Sequence, residues 1–450
     1  MSESKVKRRD LLKIAATAIV AGAVAGAGGY YAGRLTTPPP TPTPPPTPTP
    51  PPTRAIPTRP IKIGVLTYIS GAGAVLSIHG INATQMIVEK INAEGGILGR
   101  KIELIIRPEG AAEETVREFR RLWEEDKVDY IIGLISSGNG KAIAPVAEEL
   151  NALTCYWCAT TTELFEVTDP KPKFVFRAGN YDVMETTAGA LLTAKLWPNI
   201  KTVAGINPDY AYGRDEWKLY TLALKKLIPD VTFVAELWPP LFTTDYTAHI
   251  SELLRLKPDL IMTSLWGGDI VTFIKQAAPQ GLFKVSKLCN TIGGTAIPEL
   301  KKDFVPEGLL VGLRSWYFEY PSPDKWSLSA EFTREYVARF GTYPTYEPEH
   351  AYFSLYAYKA AVEKAYALKG GWPDVEDIAK AMEWIGLPTL SGFRYFGYNG
   401  HQGLGCAHYG VTKHLPKYPF VAYEPVEVLP PQYVSPPPGV KCPEWIAGWK

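Results

Sequence analysis

Three short segments collect residue types that can hold or transform a small molecule. Ser136-Ser137-Gly138-Asn139-Gly140 follows an apolar run and opens a helical pattern, so hydroxyls, an amide and free backbone donors gather at one helix start. Such a start favours a carboxylate, and it equally serves as a plain N-cap. Cys155-Tyr156-Trp157-Cys158-Ala159-Thr160-Thr161-Thr162 adds three hydroxyls and a Cys-x-x-Cys spacing. That spacing raises redox or metal chemistry. Strand positions three apart face opposite sides, however, and no second cysteine pair or nearby histidine completes a tetrahedral site. Structural or ligand-lining thiols are therefore expected, with disulfides open in an oxidising compartment and at least one of the five cysteines unpaired.

Tyr346-Glu347-Pro348-Glu349-His350 sets two carboxylates and a histidine before a helix and reads as a helix entry with a solvated face. The six histidines (79, 249, 350, 401, 408, 414) lack i, i+4 spacing, so no metal site is expected. There is neither a Gly-x-x-x-x-Gly-Lys-Ser/Thr phosphate loop nor a Gly-x-Ser-x-Gly elbow. No cofactor and no catalytic group are expected.

The elements that must position these residues alternate. Ile61–Leu66 reads as a strand ending in the turn-prone Ser70-Gly71-Ala72-Gly73, followed by a helix from Gly80 to Ile91. Strands at 101–107 and 129–133 enclose a charged helix from Ala112 to Asp126. Beyond the strand 174–177 the rhythm resumes: helices 182–197, 213–227, 246–256 and 270–278 alternate with strands 202–207, 231–236 and 259–264. Strands separated by 10–15 residues of helical pattern indicate β-α-β units around parallel sheets. Two doubly wound α/β domains of similar plan fit this length better than one large sheet.

The 450 residues carry 47 Lys+Arg and 46 Asp+Glu, a formal charge of +1, and 46% are hydrophobic. Wholesale disorder and a basic nucleic-acid surface are both excluded. The balance conceals a division: eight of the basic and two of the acidic residues precede Pro60, leaving 39 against 44 and a body near −5. Lys5-Val6-Lys7-Arg8-Arg9-Asp10-Leu11-Leu12-Lys13 precedes an uncharged stretch from Ile14 to Gly33, the pattern of an export signal, 1–35. Arg8-Arg9-x-Leu-Leu-Lys resembles a twin-arginine signal, with an ordinary export signal as the alternative. Cleavage and retention as a membrane anchor both stay open. Residues 36–60, almost all Pro and Thr, read as an extended stalk.

Asn92-Ala93-Glu94-Gly95-Gly96-Ile97-Leu98-Gly99-Arg100-Lys101-Ile102-Glu103-Leu104 resembles the signature of the branched-chain amino-acid-binding family of periplasmic binding proteins, which serve ABC importers. Further blocks follow in that family's order: Lys127 to Gly133, Phe176-Arg177, Asp209-Tyr210-Ala211-Tyr212-Gly213, Lys257-Pro258-Asp259, Gln276-Ala277-Ala278, Ser391 to Phe396 and Gly400-His401-Gln402. The resemblance spans roughly 61–428. It implies the type I fold: two doubly wound parallel-sheet lobes joined by three hinge crossings and closing on a ligand. The crossings are expected near Arg177–Tyr181, Leu310–Trp316 and Leu390–Arg394. Lobe 1 is then 61–178 with 313–391, and lobe 2 is 179–312 with 392–430. The tail 431–450 lies outside the resemblance.

By the same resemblance Ser137, Asn139 and Thr160 meet the ligand carboxylate, Cys158 offers backbone atoms, Asp182 meets an ammonium group and Tyr212 closes over the ligand. Asp182 also opens a helix, so an N-cap is its alternative role. Trp266 is a further cleft aromatic or a core residue. The family's second acid for the ammonium is replaced here by Asn290-Thr291-Ile292-Gly293-Gly294, and an unpaired buried cation is costly. The ligand is then an amino acid held by Asp182 and Asp209, or an amide, urea-like compound or carboxylic acid suited to the aromatics Tyr181, Tyr210, Trp266, Trp316 and Tyr317. The expected function is an extracytoplasmic solute receptor delivering a small polar ligand to an ABC permease, with a membrane contact only through the N-terminal segment. A sensory receptor of the same fold and an exported α/β enzyme are the alternatives.

Overall fold

A computed structural model describes residues 55–449. The export signal and most of the stalk lie outside the described residues. Among the described residues fifteen strands form two sheets. In chain order β1 (Ile61–Thr67), β2 (Ile102–Pro108), β3 (Tyr130–Gly133), β4 (Thr154–Tyr156) and β5 (Val175–Arg177) build the first. The second begins with β6 (Thr202–Ile206), β7 (Thr232–Leu237), β8 (Leu260–Thr263), β9 (Lys287–Asn290) and β10 (Leu310–Arg314). The chain then returns to the first sheet with β11 (Gly386–Thr389), β12 (Gly392–Gly397) and β13 (Gln402–Leu404), and ends in the second with β14 (Ala407–Lys413) and β15 (Ala422–Leu429).

The spatial orders are β11-β12-β13-β5-β4-β3-β1-β2 and β15-β14-β10-β9-β8-β6-β7. Pairing is parallel throughout β1–β5 and β6–β10, with antiparallel strands added at one edge of each sheet. Central strands such as Tyr130–Gly133 and Leu260–Thr263 are buried on every residue, as parallel strands covered by helices on both faces must be. This is the two-lobed, doubly wound α/β architecture.

The third crossing differs from the sequence expectation. β12 and β13 pair within the first sheet, with Gln402 opposite Arg177, so the chain changes lobe at Gly405-Cys406 rather than at Leu390–Arg394. Residues 392–404 therefore belong to lobe 1, and Leu313 and Arg314, which end β10, belong to lobe 2 rather than to lobe 1 as expected. Asn180 stitches this crossing to the first: its Oδ1 accepts from Gly405 N–H at 3.1 Å and its Nδ2 donates to the Cys406 carbonyl at 3.1 Å.

Gly71–Ala93 forms one helix, beginning nine residues before the expected Gly80. The Gly-rich segment serves close packing rather than a turn, since a Cβ on Gly73 would sit 2.6 Å from the Tyr68 ring. That ring in turn meets Phe242 edge-on at 5.7 Å and Trp266 at 6.3 Å, so the lobes touch across the cleft. The tail packs rather than dangles. Val434, Cys442 and Ile446 are buried in lobe 2, while Cys442 N–H donates to Glu166 of lobe 1 at 2.7 Å. Among the described residues no helix is long and apolar enough to cross a membrane.

Candidate functional site

The carboxyl ends of both sheets face one cavity of about 20 Å³, lined by residues of both lobes. From lobe 1 come Leu76, Ile135, Ser137, Cys158, Thr160 and Tyr346; from lobe 2 come Tyr210, Tyr212, Trp266, Ile292, Thr295 and Arg314. This is where open parallel sheets bind ligands, and with the lobes this close the space holds about one water molecule.

Local structure explains each placement. Ser136 caps the helix Ser137–Leu150, its hydroxyl accepting from Asn139 N–H at 3.5 Å, so Ser137 stands at the helix start with its hydroxyl accepting from Thr161 N–H at 3.2 Å. The loop carrying Cys158 and Thr160 turns sharply because Ala159 adopts φ +51. Arg177 holds that turn, donating to the carbonyls of Ala159 at 2.7 Å and Thr161 at 2.8 Å and to Gln402 at 2.6 Å. On the opposite wall Trp266 Nε1 donates to the Tyr210 hydroxyl at 3.0 Å, and the Tyr212 hydroxyl donates to Glu185 at 2.7 Å.

The structure thus brings together Ser137, Cys158, Thr160, Tyr212 and Trp266 and leaves two expected residues out. Asn139 turns away, donating to Glu109 and to the Gly110 carbonyl at 3.0 Å each. Asp182 is fully buried behind the wall, where it accepts from Thr162 N–H and Val183 N–H at 2.7 Å each and from the Thr162 hydroxyl. Burial, then nearby Asp215, pushes its carboxyl well above the usual range. Its geometry is that of a brace between loop 160–162 and the helix Asp182–Leu196. Asp209 pairs with Arg214 at the surface. Tyr181 bonds Ser435 and Trp316 bonds Ser329, both away from the cavity.

Arg314 is the residue that the sequence reading missed. It ends β10, is 4% exposed, and adopts φ +52, a conformation costing an L-residue about 1–3 kcal/mol and concentrated at functional sites. Nη2 lies 2.8 Å from Glu185 Oε1, while Nε and Nη1 are buried without a hydrogen-bond partner. Burial raises the Glu185 carboxyl and the guanidinium beside it pulls the other way. The signal in the sequence was a lone arginine closing the apolar run Leu309–Leu313, where an unpaired charge demands a reason. No acid lines the cavity; its one charged lining residue is this cation.

Glu347, Glu349 and His350 are fully buried, not solvated. The helix begins at Glu347, and Glu349 accepts from Thr389, Ser391 and Arg394 of the lobe 1 edge. All five cysteines are free. β4 ends at Tyr156, so Cys158 lies beyond the strand, and the two thiols meet one helix two turns apart, Cys155 at Ser354 and Cys158 at Glu347.

Comparison with known proteins agrees with this geometry. A family model described as periplasmic binding protein matches residues 60–412. A Leu/Ile/Val-binding protein homolog of Brucella melitensis is 28% identical over 245 residues, which are 53% of this chain and 60% of that protein. The matched chain thus spans less than two thirds of that relative. Among solved structures, an ABC transporter solute-binding protein from Rhodopseudomonas palustris in complex with 3,4-dihydroxybenzoic acid superposes with a TM-score of 0.70 at 22% identity, over 81% of this chain and 96% of that one. A leucine-binding protein from Thermotoga maritima superposes with a TM-score of 0.68 at 20% identity, over 83% and 99%. The matched proteins are binding proteins, in keeping with a role without catalysis.

Proposed function

Because the chain belongs to the periplasmic binding protein family, we propose that it is the solute-binding component of an ABC importer and that its solute is a small carboxylate with an aromatic or branched apolar body and no ammonium group. The observation carrying this reading is Arg314: a buried guanidinium with two unpartnered donors stands in the wall of a cavity that no acid lines. A carboxylate accepting a charge-assisted hydrogen bond from one of these donors offsets part of the cost of burying it unpaired. An α-amino acid would bring an ammonium with no carboxylate to meet it, and leaving that charge unpaired is costly.

Tyr210, Tyr212, Trp266 and Tyr346 supply the apolar faces that receive the body of the solute. Ser137 and Thr160 supply hydroxyls for its polar substituents. The benzoate-type ligand named for one structural neighbour supports the same class. Lobe closure excludes water and presents one joined surface to the permease. The leader exports the chain by the twin-arginine route, and the stalk spaces it from the membrane. The test is mass spectrometry of the small molecule released from protein purified out of its native host: an aryl or branched carboxylate fits, and leucine, isoleucine or valine overturns the ligand class.

A further inference from the structure

Behind the cavity wall three side chains from distant parts of the chain converge. Cys158 leaves the loop after β4, and Glu347 and His350 stand one turn apart at the start of the helix Glu347–Lys369. Cys158 Sγ lies 3.4 Å from Glu347 Oε2 and 3.9 Å from His350 Nδ1, and the same Oε2 lies 3.5 Å from that Nδ1. A tetrahedral zinc ion bonds sulfur at about 2.3 Å and nitrogen or oxygen at about 2.0–2.2 Å, which sets the edges between its ligand atoms at roughly 3.3–3.6 Å. The three observed separations form one face of that tetrahedron, with only the sulfur–nitrogen edge a few tenths of an ångström long.

We propose that Cys158, Glu347 and His350 form a binding site for a zinc-class divalent metal ion, with its fourth position opening toward the solute cavity.

The surroundings agree. His350 Nε2 lies 2.8 Å from the Ser315 hydroxyl. That bond orients the ring so that Nδ1 points at the other two ligand atoms, as an outer partner does for a metal-bound imidazole. The three residues are buried, with no surface acids competing for the ion. A thiolate and a carboxylate together balance a divalent charge, and the protons they release on binding pass to solvent. Arg314, the neighbouring cation, is paired with Glu185. Sulfur and imidazole nitrogen select zinc-class ions over calcium or magnesium, which require oxygen. Cys158 lines the cavity, so the open position has a route to a water molecule there. The site is independent of the solute reading, since carboxylate binding can be measured separately in chelator-treated protein.

The test is metal binding by the full chain, stripped with chelator and dialysed under reducing conditions against zinc or cobalt(II). The site predicts retention of one equivalent of zinc and a raised Tm. With cobalt it predicts the intense visible bands of four-coordinate cobalt(II) and a thiolate-to-metal charge-transfer band. Cys158→Ser should abolish the charge-transfer band, Cys155→Ser should leave it, and Ser315→Ala should weaken zinc binding by roughly tenfold. Retention of no zinc, a six-coordinate cobalt spectrum, or a thiolate band that survives Cys158→Ser overturns the proposal. If Cys158→Ser does not fold, the wild-type cobalt spectrum decides alone.

Discussion

Arg314 and Glu185 form a buried ion pair at the cavity wall, 2.8 Å apart, and the second oxygen of Glu185 is held by Tyr212. The pair fixes one nitrogen of the guanidinium and leaves Nε and Nη1 without a partner. Arg314→Gln should therefore do two things at once. It weakens carboxylate binding by about 2–5 kcal/mol, at least roughly 30-fold in Kd. It also strands Glu185, lowering apo stability by about 3–5 kcal/mol. Arg314→Met combined with Glu185→Gln should restore the melting temperature without restoring binding, as calorimetric titration and thermal melts together can check.

Asp182 braces Thr162 against the helix it opens. Asp182→Asn keeps the shape but loses an acceptor for the Thr162 donors, at about 1–3 kcal/mol of stability. The solute Kd should stay within about threefold, measured by titration at a temperature where the variant is folded. A loss of binding without a loss of stability would return Asp182 to the cavity.

Glu109 anchors the helix start that presents Ser137, accepting from Ile135 N–H, Ser136 N–H and Asn139. Burial outweighs those donors and lifts its carboxyl from 4.5 to about 7. Below 4.5 the folded and unfolded chains are both protonated there. Between 4.5 and about 7 only the folded chain holds the proton, and above about 7 neither does. This contribution to stability is full at low pH and lost across that window, on the order of 3 kcal/mol. Glu109→Gln has no such titration. Its stability relative to wild type should rise as pH increases through the window, read from denaturant melts at matched pH values.

The C-terminal tail touches both lobes, with Cys442 and Ile446 in lobe 2 and the Cys442 N–H on Glu166 of lobe 1. It stabilises the arrangement in which the lobes meet. Removing residues 440–450 should lower Tm, and it should raise the solute Kd by reducing the population of the closed form. An unchanged Kd would confine the tail to stability.

Much of this was legible in the sequence, for identifiable reasons. Runs such as Ile61–Thr67 and Leu260–Thr263 are mainly apolar and β-branched, so buried parallel strands were evident. Ser137, Thr160 and Tyr212 follow strands whose ends must face the cleft. What escaped depends on partners far along the chain. Gly71–Gly73 reads as a turn until Tyr68 is seen against it. β12 and β13 look like a return to lobe 2 until Gln402 pairs with Arg177. Glu347 and His350 look solvated until Cys158, some 190 residues earlier, covers them. Arg314 was visible only as one charge at the end of an apolar run.

Selection of a carboxylate that lacks an ammonium group is decided by calorimetric titration of chelator-treated protein with benzoate, 4-hydroxybenzoate and 3-methylbutanoate, each set beside leucine and valine. At least one of the simple carboxylates should bind at least tenfold more tightly than either amino acid, with the affinity lost in Arg314→Gln. Tight binding of leucine or valine with none of the simple carboxylates bound would contradict the account.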